Sequence, residues 1–205
     1  TIIEGPGYFP FSFYHDNGLT PTKWSGIQTT SEQYTWVQLQ EKRPPRSIFF
    51  RTAHRYVIRP DHFCIWAGSW IGKRNCKFFI IFNFYGMLYL SLFTVYIIRS
   101  LIILSFRGEF SVLFALAVIY SFLGIWFTIM TGHIFFESFV HSLKNVTNWE
   151  GWNHIDPTTF QKENCIENLK DVFGETSVCL WFCPVSPWKN QTDYDISINY
   201  PSYDD

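Results

Sequence analysis

Asp61, His62 and Cys64 stand within four residues of one another in the run Arg59-Pro-Asp-His-Phe-Cys-Ile-Trp66. Together they supply a thiol nucleophile, a base and a carboxylate able to orient that base. A cysteine thiol with a reference pKa of about 8.5 is only a few per cent ionised at neutral pH, so a neighbouring imidazole would raise its reactivity. Taken alone, a cysteine among aromatics is more often a buried small hydrophobe. A lone histidine is likewise more often a structural hydrogen-bonding residue, so this triad is judged by the elements that position it.

Those elements point to a membrane. The chain has 205 residues, with 20% aromatic and 16% charged residues and a formal net charge of −1. That composition suits a small membrane protein better than a soluble enzyme of the same length. It also gives no ground for a nucleic-acid partner, since no basic tail or arginine-rich run with interleaved aromatics is present. The five cysteines, Cys64, Cys76, Cys165, Cys179 and Cys183, are odd in number and without paired spacing. They read as free thiols.

Residues 1–41 are rich in Gly, Pro, Thr and aromatics without a sustained period and read as a lid of turns. Residues 42–77 surround the Asp61–Cys64 run with positive charge: ten of the sixteen Lys and Arg lie between Lys23 and Lys77. Arg46, Arg51, Arg55, Arg59, Lys73 and Arg74 are expected to form a face toward anionic headgroups; the sharper alternative is that a few of them hold the phosphates of a substrate. No charge occurs from Phe78 to Ile98 or from Ser111 to Gly132. Each run is long enough to cross about 30 Å of hydrocarbon at about 1.5 Å per residue. The expected division is a transmembrane helix over 78–105, a short lumenal turn over 106–110, and a second transmembrane helix with its extension over 111–144. The Lys and Arg bias places both ends of the chain in the cytosol, where the sequons at Asn145 and Asn190 would stay bare. Residues 145–186 read as a C-terminal cytosolic region with a helical pattern from Asn164 to Phe173 closed by Gly174. In it, Cys179-Leu-Trp-Phe-Cys-Pro184 forms an apolar patch able to lie on the membrane interface. Residues 187–205 read as an extended tail.

Several motifs in order resemble the DHHC-type protein S-acyltransferases. Pro44-Pro45-Arg46-Ser47 resembles the family's Pro-x-Arg-Ser, and Asp61-His62-Phe63-Cys64-Ile65-Trp66 its Asp-His-His-Cys-Pro-Trp. Gly72, Asn75 and Phe79 match the lead into the third transmembrane helix. Thr147-Asn148-Trp149-Glu150 is similar to Thr-Thr-x-Glu, and Asn168 with Phe173-Gly174 to the C-terminal Asn and aromatic element. The first transmembrane pair of the family has no counterpart here, and the chain opens without Met. These residues are therefore expected to begin partway through a longer protein.

The resemblance implies a nucleophile in Cys64, a base in His62 and its orienter in Asp61, with Thr147, Glu150, Asn168 and Trp66 in support. The family also holds two structural zinc ions, whose ligand positions fall here at Trp36, Leu39, Phe49 and Tyr56, and at Phe50, Ala53, Phe63 and Trp70. None of these eight residues can ligate zinc, so no zinc is expected. Their apolar side chains read instead as a metal site converted into a hydrophobic one, each large one contributing roughly 1.5–3 kcal/mol on burial.

The expected fold is a mainly α membrane protein: a transmembrane hairpin, part of a four-helix bundle, with a small irregular cytosolic domain. The expected function is transfer of a fatty acyl group from acyl-CoA, such as palmitoyl-CoA, through a Cys64 thioester to cysteines of substrate proteins. The alternative is a catalytically inactive relative acting as a scaffolding subunit of a membrane complex. Partners are then acyl-CoA, substrate proteins, membrane lipids and accessory subunits, and the location an ER or Golgi membrane.

Overall fold

The computed structural model describes residues 4–8, 46–53, 55–191 and 196. The chain divides into two compact units, Thr1–Phe78 with His141–Asp205, and Phe79–Val140.

The first unit is built on two antiparallel hairpins. Strand β1 (Ser47–Phe50) pairs with β2 (Arg55–Ile58), and β3 (His62–Cys64) pairs with β4 (Ser69–Ile71). The domain read from sequence as irregular thus carries short regular strands, each too brief to show a period. Their aromatic and β-branched residues suit a pleated, half-buried surface. Val57, Ile58 and Ile71 are fully buried. Residues 4–8 run against this core, with Tyr8 bridged to Val57 and Gly7 O accepting from Ile58 N. Gly72 is pressed between residues 4–8 and β2. A Cβ there would stand 2.7 Å from Pro6 O and 2.9 Å from Ile58 O, so no side chain fits. Beside it, the Asn75 side chain accepts from Gly72 N (2.8 Å) and donates to Trp70 O (2.9 Å), which fixes the turn that starts helix α1 (Cys76–Arg107).

The C-terminal part of this unit holds α3 (Asn148–Trp152) and α4 (Cys165–Phe173). Thr147 and Glu150 form a capping box at α3: Glu150 N donates to Thr147 Oγ1 (3.2 Å) and Thr147 N to Glu150 Oε2 (2.8 Å). Helix α4 is capped by Asn164, whose side chain accepts from Ile166 N, and ends at Gly174 with φ 84°. Pro187 lies 2.4 Å from where a Cβ on Gly174 would be.

The second unit contains most of α1 and of α2 (Val112–Lys144). These two helices are long and apolar enough to cross a membrane, with mean hydropathy 2.0 and 2.3 in their most apolar stretches. Only 6% and 17% of those stretches is buried, whereas the core helix of a soluble protein would be mostly buried. Within the pair, Phe84 packs on Phe135 with ring centroids 5.2 Å apart. Farther along, Gly124 abuts Thr94 so closely that a Cβ would meet Thr94 Oγ1 at 2.4 Å. Small residues at such a contact let two apolar helices approach where no hydrophobic driving force acts between them.

Candidate active site

Strand β3 presents the candidate triad. Side chains alternate along a strand, so His62 and Cys64 share one face and Phe63 takes the other. The exposure follows this pattern: Cys64 is buried at 8%, while Phe63 is 44% exposed. Asp61 immediately precedes the strand, its N–H donating to Ile71 O (2.8 Å) across the hairpin. Its carboxylate Oδ2 lies 2.7 Å from His62 Nδ1. A carboxylate on Nδ1 selects the tautomer protonated there and leaves Nε2 as the basic nitrogen.

Two further bonds hold Asp61 from the other side. Asn148 N donates to Oδ1 (2.9 Å) and Asn148 Nδ2 to Oδ2 (3.2 Å). Burial works to raise the Asp61 carboxyl, but the His62 hydrogen bond and charge, the Asn148 N–H and Arg59 outweigh it and hold the group below its ordinary range. Asp61 therefore stays ionised beside the imidazole.

Behind the triad lies a buried ionic network. Arg46 Nε and Nη2 grip the two oxygens of Glu150 at 2.8 and 2.9 Å, a bidentate pair with both residues nearly inaccessible. Arg46 also donates to Asn145 Oδ1 (3.1 Å) and Asn145 O (2.7 Å), and Arg59 Nη2 to the same Oδ1 (3.3 Å). Asp171 receives Lys73 at 2.9 Å, with Arg46 and Arg59 each 3.7 Å away. Burial tends to raise the Glu150 and Asp171 carboxyls, yet the surrounding cations hold both below the ordinary range. Burial dominates at Lys73 and, against the pull of Asp171, lowers it to about 8.

Arg46, Arg59 and Asn145 all adopt left-handed backbone, with φ of 38°, 47° and 52°. Each such non-glycine position costs of order 1–3 kcal/mol and persists only where its surroundings over-determine it. Here the side chains of these same three residues bond to one another, which fixes the loops on which β1, the triad and α3 meet.

The network corrects one expectation from sequence. Arg46, Arg59 and Lys73 do not lie on a solvent-facing basic surface; they are buried at 0%, 1% and 4% exposure. Internal carboxylates recruit them. Arg51 is exposed, Arg55 lies over the Tyr8 ring, and Arg74 pairs with Glu4 at 3.5 Å.

The family model of the DHHC palmitoyltransferases matches residues 29–155. The chain belongs to the DHHC palmitoyltransferase family. Over 160 residues it is 27% identical to palmitoyltransferase ZDHHC3-A of Danio rerio, covering 74% of this chain and 50% of that protein. It is 31% identical over 147 residues to palmitoyltransferase ZDHHC9 of Danio rerio, covering 63% of this chain and 36% of that protein. The same comparison with the Homo sapiens ZDHHC9 gives 29%, with 63% and 38% covered. The chain thus spans half or less of the length of these curated relatives.

DHHC domains are zinc domains by the family resemblance, but the residues at this chain's ligand positions do not fit zinc. Phe50 stacks on Trp70 with centroids 3.6 Å apart, and Phe63 meets Trp70 edge-on at 5.9 Å. Phe49 and Tyr56, from the other set, pair edge-on at 5.3 Å across β1 and β2. An aromatic ring offers no lone pair of the kind a thiolate or imidazole gives to zinc. Trp36 and Leu39 lie outside the described residues.

Of the supporting residues, Thr147 and Glu150 are fully or nearly buried at α3, and Asn168 is buried on α4, where its Nδ2 donates to Leu143 O (2.9 Å) and its Oδ1 accepts from Lys162 N (2.8 Å). Trp66 is 86% exposed at the tip of the β3–β4 turn and is not drawn to the triad. Sequence reasoning passed over Asp171 and Asn145. Asp171 gives no local signal, because its partners lie near residues 46, 59 and 73. The double role of Glu150 was partly visible in the Thr-x-x-Glu spacing of a capping box.

Proposed function

We propose that this protein is a protein S-acyltransferase that carries a fatty acyl group on Cys64. The observation that carries the reading is the 2.7 Å bond between Asp61 and His62 on the strand that presents Cys64 on the same face. His62 Nε2 takes the Cys64 proton, and the thiolate attacks the thioester carbonyl of acyl-CoA. A bond forms from Sγ to the acyl carbon, the bond to the CoA sulfur breaks, and the departing CoA thiolate takes from the imidazolium the proton that Cys64 gave up. A substrate cysteine, deprotonated in turn by His62, then attacks the Cys64 thioester. The acyl group moves to the substrate and the Cys64 thiol is restored. Asp61 stabilises the imidazolium in both steps. The protein acts in an ER or Golgi membrane with both described ends cytosolic, and a further helix pair, from the same protein or another subunit, completes the four-helix bundle around the acyl chain.

A second reading, an inactive scaffolding subunit, draws support from the β3–β4 turn. Ile65 and Trp66 are 82% and 86% exposed and offer an apolar tip to a partner. Labelling of the purified protein with an alkyne fatty acyl-CoA separates the two. The enzyme reading predicts a hydroxylamine-sensitive label on the peptide that carries residue 64, absent from Cys64→Ser and strongly reduced in His62→Ala. A wild type with no label on that peptide overturns it.

A further inference from the structure

The segment from Val178 to Val185 is built with two faces. Trp181 turns inward, 6% exposed, stacking on Phe173 at 5.4 Å and donating Nε1 to Thr176 O (3.1 Å). Val178, Leu180 and Val185 turn outward, at 60%, 45% and 56% exposure. Between them stand Cys179, exposed on the short 3-10 turn Val178–Leu180, and Cys183, partly exposed, whose thiol donates to Cys179 O (3.7 Å).

One residue ties this segment to the start of the apolar helix. Lys77, in the first turn of α1, donates Nζ to Leu180 O and to Val185 O, both at 3.0 Å. The charge-free run opens at the next residue, Phe78. Outward aliphatics fastened at the point where the chain turns apolar fit the boundary of headgroups and acyl chains, the setting in which cysteines take long-chain acyl groups.

We propose that this segment is an S-acylation site, with Cys179 as acceptor and Cys183 as its neighbour in reserve. The Cys179 thiolate attacks the carbonyl carbon of a long-chain acyl thioester. The new bond to Sγ forms as the bond to the donor sulfur breaks, and the donor leaves as a thiolate that takes up the proton Cys179 gave up. The acyl chain enters the leaflet beside Val178 and Leu180. Two thioesters can be the donor, free acyl-CoA or the Cys64 intermediate; only the second rests on the acyltransferase reading above. Cys165 provides an internal contrast, since it is also exposed but sits between Glu163-Asn164 and Glu167 at the start of α4.

The test counts thioesters on the full-length chain in cell membranes: free thiols are blocked, thioesters are cleaved with hydroxylamine, and each released thiol receives a polymer mass tag. The proposal predicts a tag that disappears in Cys179→Ser combined with Cys183→Ser and remains in Cys165→Ser. Val178→Asp with Leu180→Asp, which leaves both thiols in place, should also remove it. A double cysteine variant tagged as fully as the wild type overturns the proposal, as does a wild type tagged at Cys64 alone, which leaves the acyltransferase reading intact. In Cys64→Ser, a surviving tag at Cys179 identifies acyl-CoA or another enzyme as the donor, and its loss identifies Cys64.

Discussion

Asn148 holds Asp61 with its backbone N–H at 2.9 Å and its side-chain amide at 3.2 Å, so the start of α3 and the triad share one carboxylate. On the acyltransferase reading, Asn148 acts through Asp61 and His62 as a positioning residue. Asn148→Ala keeps the backbone bond and loses the amide. A hydrogen bond to a charged group contributes about 1.5–3 kcal/mol, and the longer of the two is at the lower end. The acyl-labelling rate should fall about tenfold. Asp61→Asn, which disturbs the tautomer itself, should lower it by up to about 10⁴-fold. Equal losses in the two variants would contradict the positioning role.

Breaking the Arg46–Glu150 pair should damage the fold more than the chemistry around it. Glu150→Ala leaves a guanidinium buried at 0% exposure without its bidentate partner. The expected loss is about 3–5 kcal/mol, measured by denaturant unfolding in detergent. Arg46→Met combined with Glu150→Met removes both charges, and should recover much of that loss.

Lys73 gives the fold a distinct alkaline signature. Its pKa drops from 10.5 when free to about 8 when folded, with burial as the leading cause. Between those values the unfolded chain binds the extra proton, so this residue makes stability rise with pH across about 8 to 10.5, by at most about 1.4 kcal/mol per pH unit. Below about 8 both states are charged and the dependence vanishes. Subtracting the melting profile of Lys73→Met from that of the wild type isolates the effect. A difference that is flat over this window would contradict it.

How far the sequence disclosed this site depended on distance along the chain. The pairing of the neighbours Asp61 and His62, the apolar helices and α4, framed by Asn164 and Gly174, follow from local spacing and capping chemistry. That the positions of the family's zinc ligands hold no donor was also legible, because six of the eight residues there are aromatic and the other two are Leu39 and Ala53. The destiny of the basic residues was not. Arg46 and Glu150 lie 104 residues apart, and no local pattern distinguishes an arginine bound for a buried carboxylate from one bound for lipid headgroups. The strands were missed for a different reason: three or four residues cannot display an alternation that longer neighbours would reveal.

The aromatic cluster should carry the structural load at the positions where the family holds zinc. Phe50 and Trp70 are partly exposed, so Phe50→Ala or Trp70→Ala should cost about 2–3 kcal/mol, below the 3–5 of a fully buried aromatic. Denaturant midpoints at unchanged slope measure this. A loss under half a kilocalorie per mole in both variants would show that the stack does not support the hairpins.

Acyl-enzyme formation by metal-stripped protein tests the account most directly. The protein would be purified in a strong chelator, shown by elemental analysis to be zinc-free, and exposed to alkyne fatty acyl-CoA beside Cys64→Ser and His62→Ala. The zinc-free wild type should carry a hydroxylamine-sensitive label on the peptide that holds Cys64, absent from Cys64→Ser and strongly reduced in His62→Ala. A label on that peptide that appears only with added zinc, or a wild type with none there, would contradict a triad held by aromatic packing and buried ion pairs.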